Sequence, residues 1–222
     1  MKKIVLSLAL ILAATPLLAL DIYEPLAKDA LWMTTKGTAP FASNPTTILF
    51  GEMDYAINNS VLIGALGQAD YNNGIVNKVV GISGIANVSN LADQHTMVDV
   101  LGSLRFSSTQ TWTYNAALQA RGLLEGGFTP YGILGFNQST AAGSQVAFDA
   151  TTGASYLLTE QIELLGNLDL DFGGANVSTP LNLIAGTNFL LSDLLEFQVD
   201  MTLPLANAGN TTLVSFALYA GL

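Results

Sequence analysis

Acidic residues recur at alternate positions in this sequence, and their spacing is the first indication of chemistry. Glu163, Asp169 and Asp171 fall on one parity of an extended segment, and Glu196 and Asp200 do the same further along the chain. Successive side chains of a β-strand point to opposite faces, so each set would project from a single face. Because rings of Asp and Glu favour cations inside a pore, the spacing points to a negatively charged lumen.

The candidate lumen-facing residues are charged side chains on the polar parity of alternating segments. They are Glu52, Asp54, Asp149, Glu163, Asp169, Asp171, Glu196 and Asp200, together with the basic residues Arg105 and Arg121. The two arginines would neutralise part of the acidic charge. An ion pair between Arg121 and one of these acids across the interior would indicate a filled, plug-like network instead of a cation-attracting passage.

Residues suited to catalysis or tight metal binding are scarce. The sequence contains no cysteine, and its one histidine, His95, lies at a predicted turn without a serine motif that would supply a nucleophile. Asp93 and His95 offer two metal ligands, whereas specific sites use more. The glycines are scattered and form no phosphate-binding loop. We therefore expect no enzyme activity, no metal site and no cofactor.

The composition restricts the class of protein further. Half of the 222 residues are apolar, 11% are charged and the mean hydropathy is +0.43. About 25% charged residues is usual for a soluble domain, and a chain this apolar is not disordered. With 7 basic against 17 acidic residues and a net charge of −10, the chain lacks the positive charge that nucleic-acid binding requires.

The N-terminal residues have the pattern of an export signal. Two lysines precede an apolar stretch over residues 4–14, and the small residue Ala19 follows. This pattern predicts a cleaved signal peptide over residues 1–19; a retained membrane anchor is the alternative. Cleavage would leave 5 basic (7 minus 2) and 17 acidic residues, a net charge of −12. Residues 20–222 contain no apolar run long enough for a transmembrane helix.

Alternation with a period of two is the strongest pattern in the rest of the chain. Strands of soluble proteins are usually about five or six residues long, whereas bilayer-crossing strands need about 9–11. Twelve alternating segments reach the longer range or approach it. They are residues 28–37, 46–57, 60–70, 75–88, 95–106, 111–122, 129–138, 145–158, 161–172, 181–191, 194–205 and 211–222. The first and fourth segments fit least well, and without them the count is ten.

Three tight turns share one sequence pattern. An aromatic residue (Tyr55, Tyr156 or Phe189) is followed by two apolar residues and a two-residue polar turn. An aromatic residue shortly before a turn is typical of the interfacial girdle of a membrane barrel. All three turns follow even-numbered strands of the twelve, so they would lie at the same end as both termini, as in bacterial barrels.

The C-terminal strand is similar to that of a known group of proteins. Apolar residues alternate from Val214 to Leu222, which resembles the closing strand of Gram-negative outer-membrane β-barrels, although Leu222 replaces the usual terminal Phe or Trp. Residues 55–60, 129–132 and 153–160 are similar to strands of small meander barrels, such as the phenol-degradation meta-pathway transporters and porin-like barrels. The resemblance implies insertion into outer-membrane lipid by the barrel-assembly machinery.

The sequence therefore predicts an all-β fold, a closed antiparallel up-and-down transmembrane β-barrel of about twelve strands. Residues 21–45 would form a first strand or an N-terminal plug. The expected function is a passive outer-membrane channel or transporter for small solutes, favouring cations or apolar compounds. A non-conducting structural barrel with a filled interior and a soluble secreted β-sandwich are the alternatives.

Overall fold

The computed structural model describes residues 31–40, 46–72, 74–88, 96–122, 124, 126–173, 180–206 and 212–221. These residues form twelve strands. In chain order they are β1 (Leu31–Pro40), β2 (Thr47–Asn58), β3 (Val61–Asn72), β4 (Ile75–Asn87), β5 (Thr96–Ser107), β6 (Trp112–Gly122), β7 (Phe128–Ser139), β8 (Ala147–Thr159), β9 (Ile162–Gly173), β10 (Leu181–Ser192), β11 (Leu195–Ala206) and β12 (Leu213–Gly221).

The strands close into one antiparallel barrel in which every strand pairs with its sequence neighbours, and β1 pairs with β12. Closure leaves no unpaired sheet edge, as a lipid-exposed sheet requires. The prediction of an all-β, up-and-down barrel of twelve strands is confirmed, and the ten-strand and β-sandwich alternatives are wrong. Residues 31–40 form a strand and not a plug.

The predicted and observed strand boundaries differ by at most three residues. The largest shift is at β1, predicted over residues 28–37 and found at Leu31–Pro40. The predicted signal peptide, His95 and Leu222 lie outside the described residues. Within the described ranges, no helix is long and apolar enough to cross a membrane.

The three turns with a shared sequence pattern also share a structure. Each hairpin has a register shift one residue before its turn, at Ala56/Asn58, Leu157/Thr159 and Leu190/Ser192. In each, the first turn residue accepts a hydrogen bond from a backbone N–H two residues later. These bonds join Ser60 to Asn58 (2.8 Å), Gln161 to Thr159 (3.2 Å) and Leu194 to Ser192 (3.3 Å). Such local side-chain bonds stabilise tight turns.

We call the end of the barrel where β1 begins and β12 ends the terminal end, and the other end the distal end. Aromatic side chains on the outer parity lie near both ends. At the terminal end they are Tyr55, Phe128, Tyr156, Phe189 and Phe197. At the distal end they are Tyr71, Phe106, Trp112, Phe136, Phe148 and Phe172. Two such girdles with aliphatic residues between them match the interfaces of a bilayer.

The outer face between the girdles is aliphatic and exposed. Its residues include Met53, Ile63, Val80, Ile82, Leu118, Leu134, Leu164 and Leu168. Some distal aromatic rings pack in pairs: the Phe106 and Trp112 ring centroids are 4.8 Å apart in a tilted arrangement, and those of Phe148 and Phe172 are 5.6 Å apart in a stacked one. A belt of apolar side chains facing outward is stable in lipid and would be unstable in water.

Gly74 in the turn between β3 and β4 provides a test of the local backbone. Its φ is +83°, a conformation that costs a residue with a Cβ atom roughly 1–2 kcal/mol. We expect Gly74→Ala to lower the free energy of unfolding by about 1 kcal/mol, measured by urea unfolding of the barrel in lipid vesicles. Gly67→Ala is the matched control, because its added Cβ meets open space without a positive φ. Equal stabilities of the two variants would contradict this account.

Candidate functional site: the inner face of the barrel

The ten predicted lumen-facing side chains lie on the same parity as the buried polar residues of their strands. They lie at different depths. Asp54, Arg121, Glu163 and Glu196 lie towards the terminal end, Glu52 and Asp200 lie near the middle, and Arg105, Asp149, Asp169 and Asp171 lie towards the distal end. The structure thus brings these residues onto one inner surface but not into one ring.

Arg121 forms a buried ion pair along the barrel wall. Its Nη2 atom lies 3.1 Å from Oδ2 of Asp99, and both side chains are almost fully buried. Asp99 lies on the neighbouring strand β5 and also accepts a hydrogen bond from Asn87 (2.8 Å). The ion pair therefore connects adjacent strands and does not cross the lumen. Asp99 was not among the predicted lumen-facing residues, although it shares the parity of Arg105 within the segment predicted for β5.

Lys36 and Asp200 form a second inward ion pair. The Nζ atom of Lys36 lies 3.8 Å from Oδ2 of Asp200, and both side chains are 6% exposed. Lys36 is on β1 and Asp200 on β11, so the pair reaches across β12 over the small, buried residue Ala217. Lys36 was not among the predicted residues, because the segment that contains it fitted the strand pattern least well.

Three aspartates form what we call the distal acidic cluster. Asp149 on β8 is the direct register partner of Asp171 on β9, and Asp169 is two residues before Asp171 on the same face. Thr151 donates a hydrogen bond to Asp169 (2.7 Å). Directly opposed like charges on neighbouring strands destabilise a sheet. The cluster therefore concentrates negative charge at one mouth of the barrel at a cost in stability.

The inner face opposite this cluster is polar and hydrogen bonded. Ser83 on β4 donates a hydrogen bond to Glu52, and Asn115 donates one to Ser103 (2.9 Å). Arg105, from β5, lies within electrostatic reach of Glu52. Part of the acidic charge on this side of the barrel is therefore offset by Arg105.

Apolar side chains also occupy the inner face, contrary to the parity interpretation in which apolar residues face lipid. One buried cluster joins Phe50 and Leu66. A second joins Ala117, Tyr131 and Ile133. Side chains fill the interior of barrels of about eight strands; in this twelve-strand barrel, the two buried apolar clusters stabilise the inner face by packing. These apolar residues lie on the inner parity of β2, β3, β6 and β7. Alternation alone does not show that they face inward.

Burial differs between the two ends of the lumen. At the terminal end, side chains such as Arg121, Glu163 and Asn188 are each 2% exposed. Towards the distal end, Asp149 and Asp169 are half-buried and Asp171 is exposed. On β8 and β9, inner side chains are therefore more exposed towards the distal end, whereas Thr38 and Ser215, towards the distal end of β1 and β12, are each 2% exposed.

Charge is also divided around the circumference of the barrel. No Lys, Arg or His follows Arg121 in the sequence, whereas acidic residues continue to Asp200. Strands β7–β12, which we call the acidic wall, therefore contribute acids and no basic residue. The positions of the basic residues in the sequence could have revealed this asymmetry, because an up-and-down barrel places consecutive strands side by side.

Among the described residues, no group of three or more His, Asp or Glu is arranged to hold a metal ion.

A closed meander barrel with an aliphatic outer belt, two aromatic girdles and a polar, charged interior defines the class of transmembrane β-barrels. No protein-family profile and no curated protein matches the sequence. Solved structures do match the fold.

Three solved structures illustrate the similarity. An outer membrane channel from Pseudomonas putida F1 has a TM-score of 0.77 at 9% identity, covering 93% of this chain and 100% of that chain. The KdgM porin in complex with disordered oligogalacturonate has a TM-score of 0.63 at 10% identity, covering 84% and 98%. The NanC porin has a TM-score of 0.63 at 9% identity, covering 86% and 100%. At these identities the likeness shows that this chain shares the fold of outer-membrane channels and porins.

Proposed function

We propose that the protein is a passive outer-membrane channel for small solutes that favours cations. The observation that carries the proposal is the acidic wall, whose inner face holds Asp149, Glu163, Asp169, Asp171, Glu196 and Asp200 without a basic residue. Of these acids, Asp200 is paired with Lys36 from β1. The remaining acids give the passage a negative potential, and acidic pore linings favour cations.

The charge of this lumen makes it unsuited to the ligand of one structural neighbour. The KdgM porin was solved with oligogalacturonate, a polymer with a carboxylate on each sugar. A lumen with the distal acidic cluster at its mouth would repel such a polyanion. We therefore propose that this chain passes a small cation or a neutral solute. Oligogalacturonate is not proposed as its solute, although the two proteins share a fold.

A non-conducting barrel is the second candidate function. The packing of the inner face favours it, because side chains such as Arg121 and Tyr131 are almost fully buried. A structural or interaction barrel would need no open passage. A narrow channel and a closed barrel differ in one measurable property, their ion conductance.

Conductance across a planar lipid bilayer tests the proposal. Purified, folded protein is expected to produce discrete conductance steps of small size, because buried side chains occupy part of the interior. In a KCl gradient, the reversal potential is expected to have the sign of cation preference. Heat-unfolded protein, identified by its altered gel mobility, is the control. Absence of conductance and of solute-driven liposome swelling would contradict the channel and favour the filled barrel, and an anion-selective reversal potential would contradict the acidic lumen.

A further inference from the structure

Three strands of the barrel, β3, β4 and β7, carry a glycine on each face, and the space around these glycines differs between the faces. The inner glycines are Gly64, Gly81 and Gly135, and the outer glycines of the same strands are Gly67, Gly84 and Gly132. An added Cβ atom at each inner glycine would lie within 3 Å of another atom, whereas at each outer glycine the nearest atom would be at 3.4 Å or further. The space above the inner glycines is therefore already occupied.

The space above Gly135 holds the carboxyl group of Asp149. Asp149 on β8 is the register partner of Gly135. An added Cβ atom at Gly135 would lie 2.5 Å from its Oδ2 atom, 2.7 Å from its Oδ1 atom and 2.9 Å from its Cγ atom, and these are the three nearest atoms. The carboxyl group therefore lies against the barrel wall, over β7, and does not project towards the barrel axis.

This position also separates two like charges. The register partner of Asp149 on its other side is Asp171 on β9. Like charges directly opposed on neighbouring strands repel each other, and the recess at Gly135 lets the Asp149 carboxylate turn towards β7, away from Asp171. A side chain at position 135 would push the carboxylate back towards Asp171 or into the passage.

Gly64 provides a second recess of the same kind on the other side of the barrel. The atoms nearest to an added Cβ at Gly64 are in the carboxyl group of Asp54 on β2 and the hydroxyl group of Ser83 on β4. Asp54 and Ser83 are its two register partners, and Asp54 is 7% exposed. Gly81 differs, because the atom nearest to its added Cβ is the backbone carbonyl oxygen of Leu104.

We propose that Gly64 and Gly135 are positioning residues that keep the passage open while Asp54 and Asp149 line it. The inference deepens the proposed function and rests on it, because it concerns the width of the same passage. A carboxylate obstructs a solute only where it projects, whereas its Coulomb potential extends over a longer distance. Recessed acids therefore contribute negative charge to the lumen without narrowing it.

Liposome swelling with the neutral sugar arabinose tests this inference, because the rate depends on the width of the passage and not on its charge. We expect full-length Gly135→Ala to swell more slowly than the wild type. Gly132→Ala is the matched control on the outer face of the same strand, where the nearest atom would be 3.8 Å away, and it should keep the wild-type rate. The double variant Gly135→Ala/Asp149→Ala should also recover that rate, because the carboxyl group that the new Cβ displaces is gone.

Thermal stability provides a readout that does not require a passage. Gly135→Ala is expected to lower the midpoint of the heat-dependent gel shift in detergent by about 3–6 °C, through crowding of the inner face. The double variant should recover the wild-type midpoint, and it decides the test even where the single variant folds poorly.

The outcomes separate this inference from the proposed function. A wild-type swelling rate in Gly135→Ala would overturn it. A slow rate or a low midpoint that persists in the double variant would also overturn it, since the substitution would then act on the backbone and not through Asp149. Absence of swelling in the wild type would instead contradict the channel, and recovery of the midpoint would still support the recess at Gly135.

Discussion

Arg121→Met is expected to lower the free energy of unfolding by about 3–5 kcal/mol, the loss typical of breaking a buried ion pair from one side. The guanidinium is 2% exposed, and the carboxylate of Asp99 would keep its charge in a buried site. The hydrogen bond that Asn87 donates to Asp99 satisfies one oxygen but supplies no opposite charge. Urea unfolding in lipid vesicles, followed by tryptophan fluorescence and gel mobility, measures the change.

The double variant Arg121→Met/Asp99→Leu separates the lost charge balance from lost packing. Replacing both members of a buried ion pair by apolar residues of similar volume is often neutral or stabilising. We therefore expect the double variant to recover most of the stability that the single variant loses. A double variant as unstable as Arg121→Met would show that the guanidinium acts mainly through packing and not through the charge of Asp99.

The triple variant Asp149→Asn/Asp169→Asn/Asp171→Asn is expected to reduce the reversal potential in a KCl gradient by roughly half, because it removes the acids at the distal mouth. Asn is nearly isosteric with Asp, so the width of the passage is kept. The effect should be large at 0.1 M salt, where the Debye length is about 10 Å, and small at 1 M, where it is about 3 Å. Asp200 is left unchanged because its charge is offset by Lys36.

Two acids in turns at the terminal end provide the control. Glu160 and Asp193 lie in the β8–β9 and β10–β11 turns, outside the lumen. The variant Glu160→Gln/Asp193→Asn should leave the reversal potential close to that of the wild type. An unchanged reversal potential in the triple variant would reject the distal acidic cluster as a determinant of selectivity. A large change in the control variant would show that charge outside the passage dominates.

The period-two pattern was sufficient to predict the fold, because a barrel immersed in lipid imposes strict alternation on its outer face. A charged residue on that face is destabilising, by about 2–4 kcal/mol for Arg or Lys at the bilayer midplane and by less for Asp or Glu. Parity therefore places Glu163 or Asp169 on the inner face without further information. The repeated aromatic and polar pattern at Tyr55 and Tyr156 likewise predicts the turns, since it corresponds to one bulged hairpin.

The interior was harder to predict because no single solvent constrains it. An inner position can hold an apolar residue such as Leu62 or Ile133 where neighbouring side chains pack around it. It can equally hold a polar residue such as Asn115 where water or a polar neighbour is adjacent. Alternation cannot show that Arg121 pairs with Asp99 on the next strand, because the partner depends on register and side-chain length. The predicted role of the acids in ion passage stays a prediction that conductance must test.

The closure between β1 and β12 has a consequence for how the chain reaches its folded state. The other eleven strand pairs join neighbours in sequence (twelve pairs minus one), so each can form as a hairpin with a short loop. Pairing of Thr38 with Ser215 must instead bring together residues 177 positions apart, at a large loss of chain entropy. We therefore expect this seam to form last and to limit the folding rate. Until then the strand edges of β1 and β12 stay open, and pairing with a second copy of the chain is the competing, off-pathway reaction.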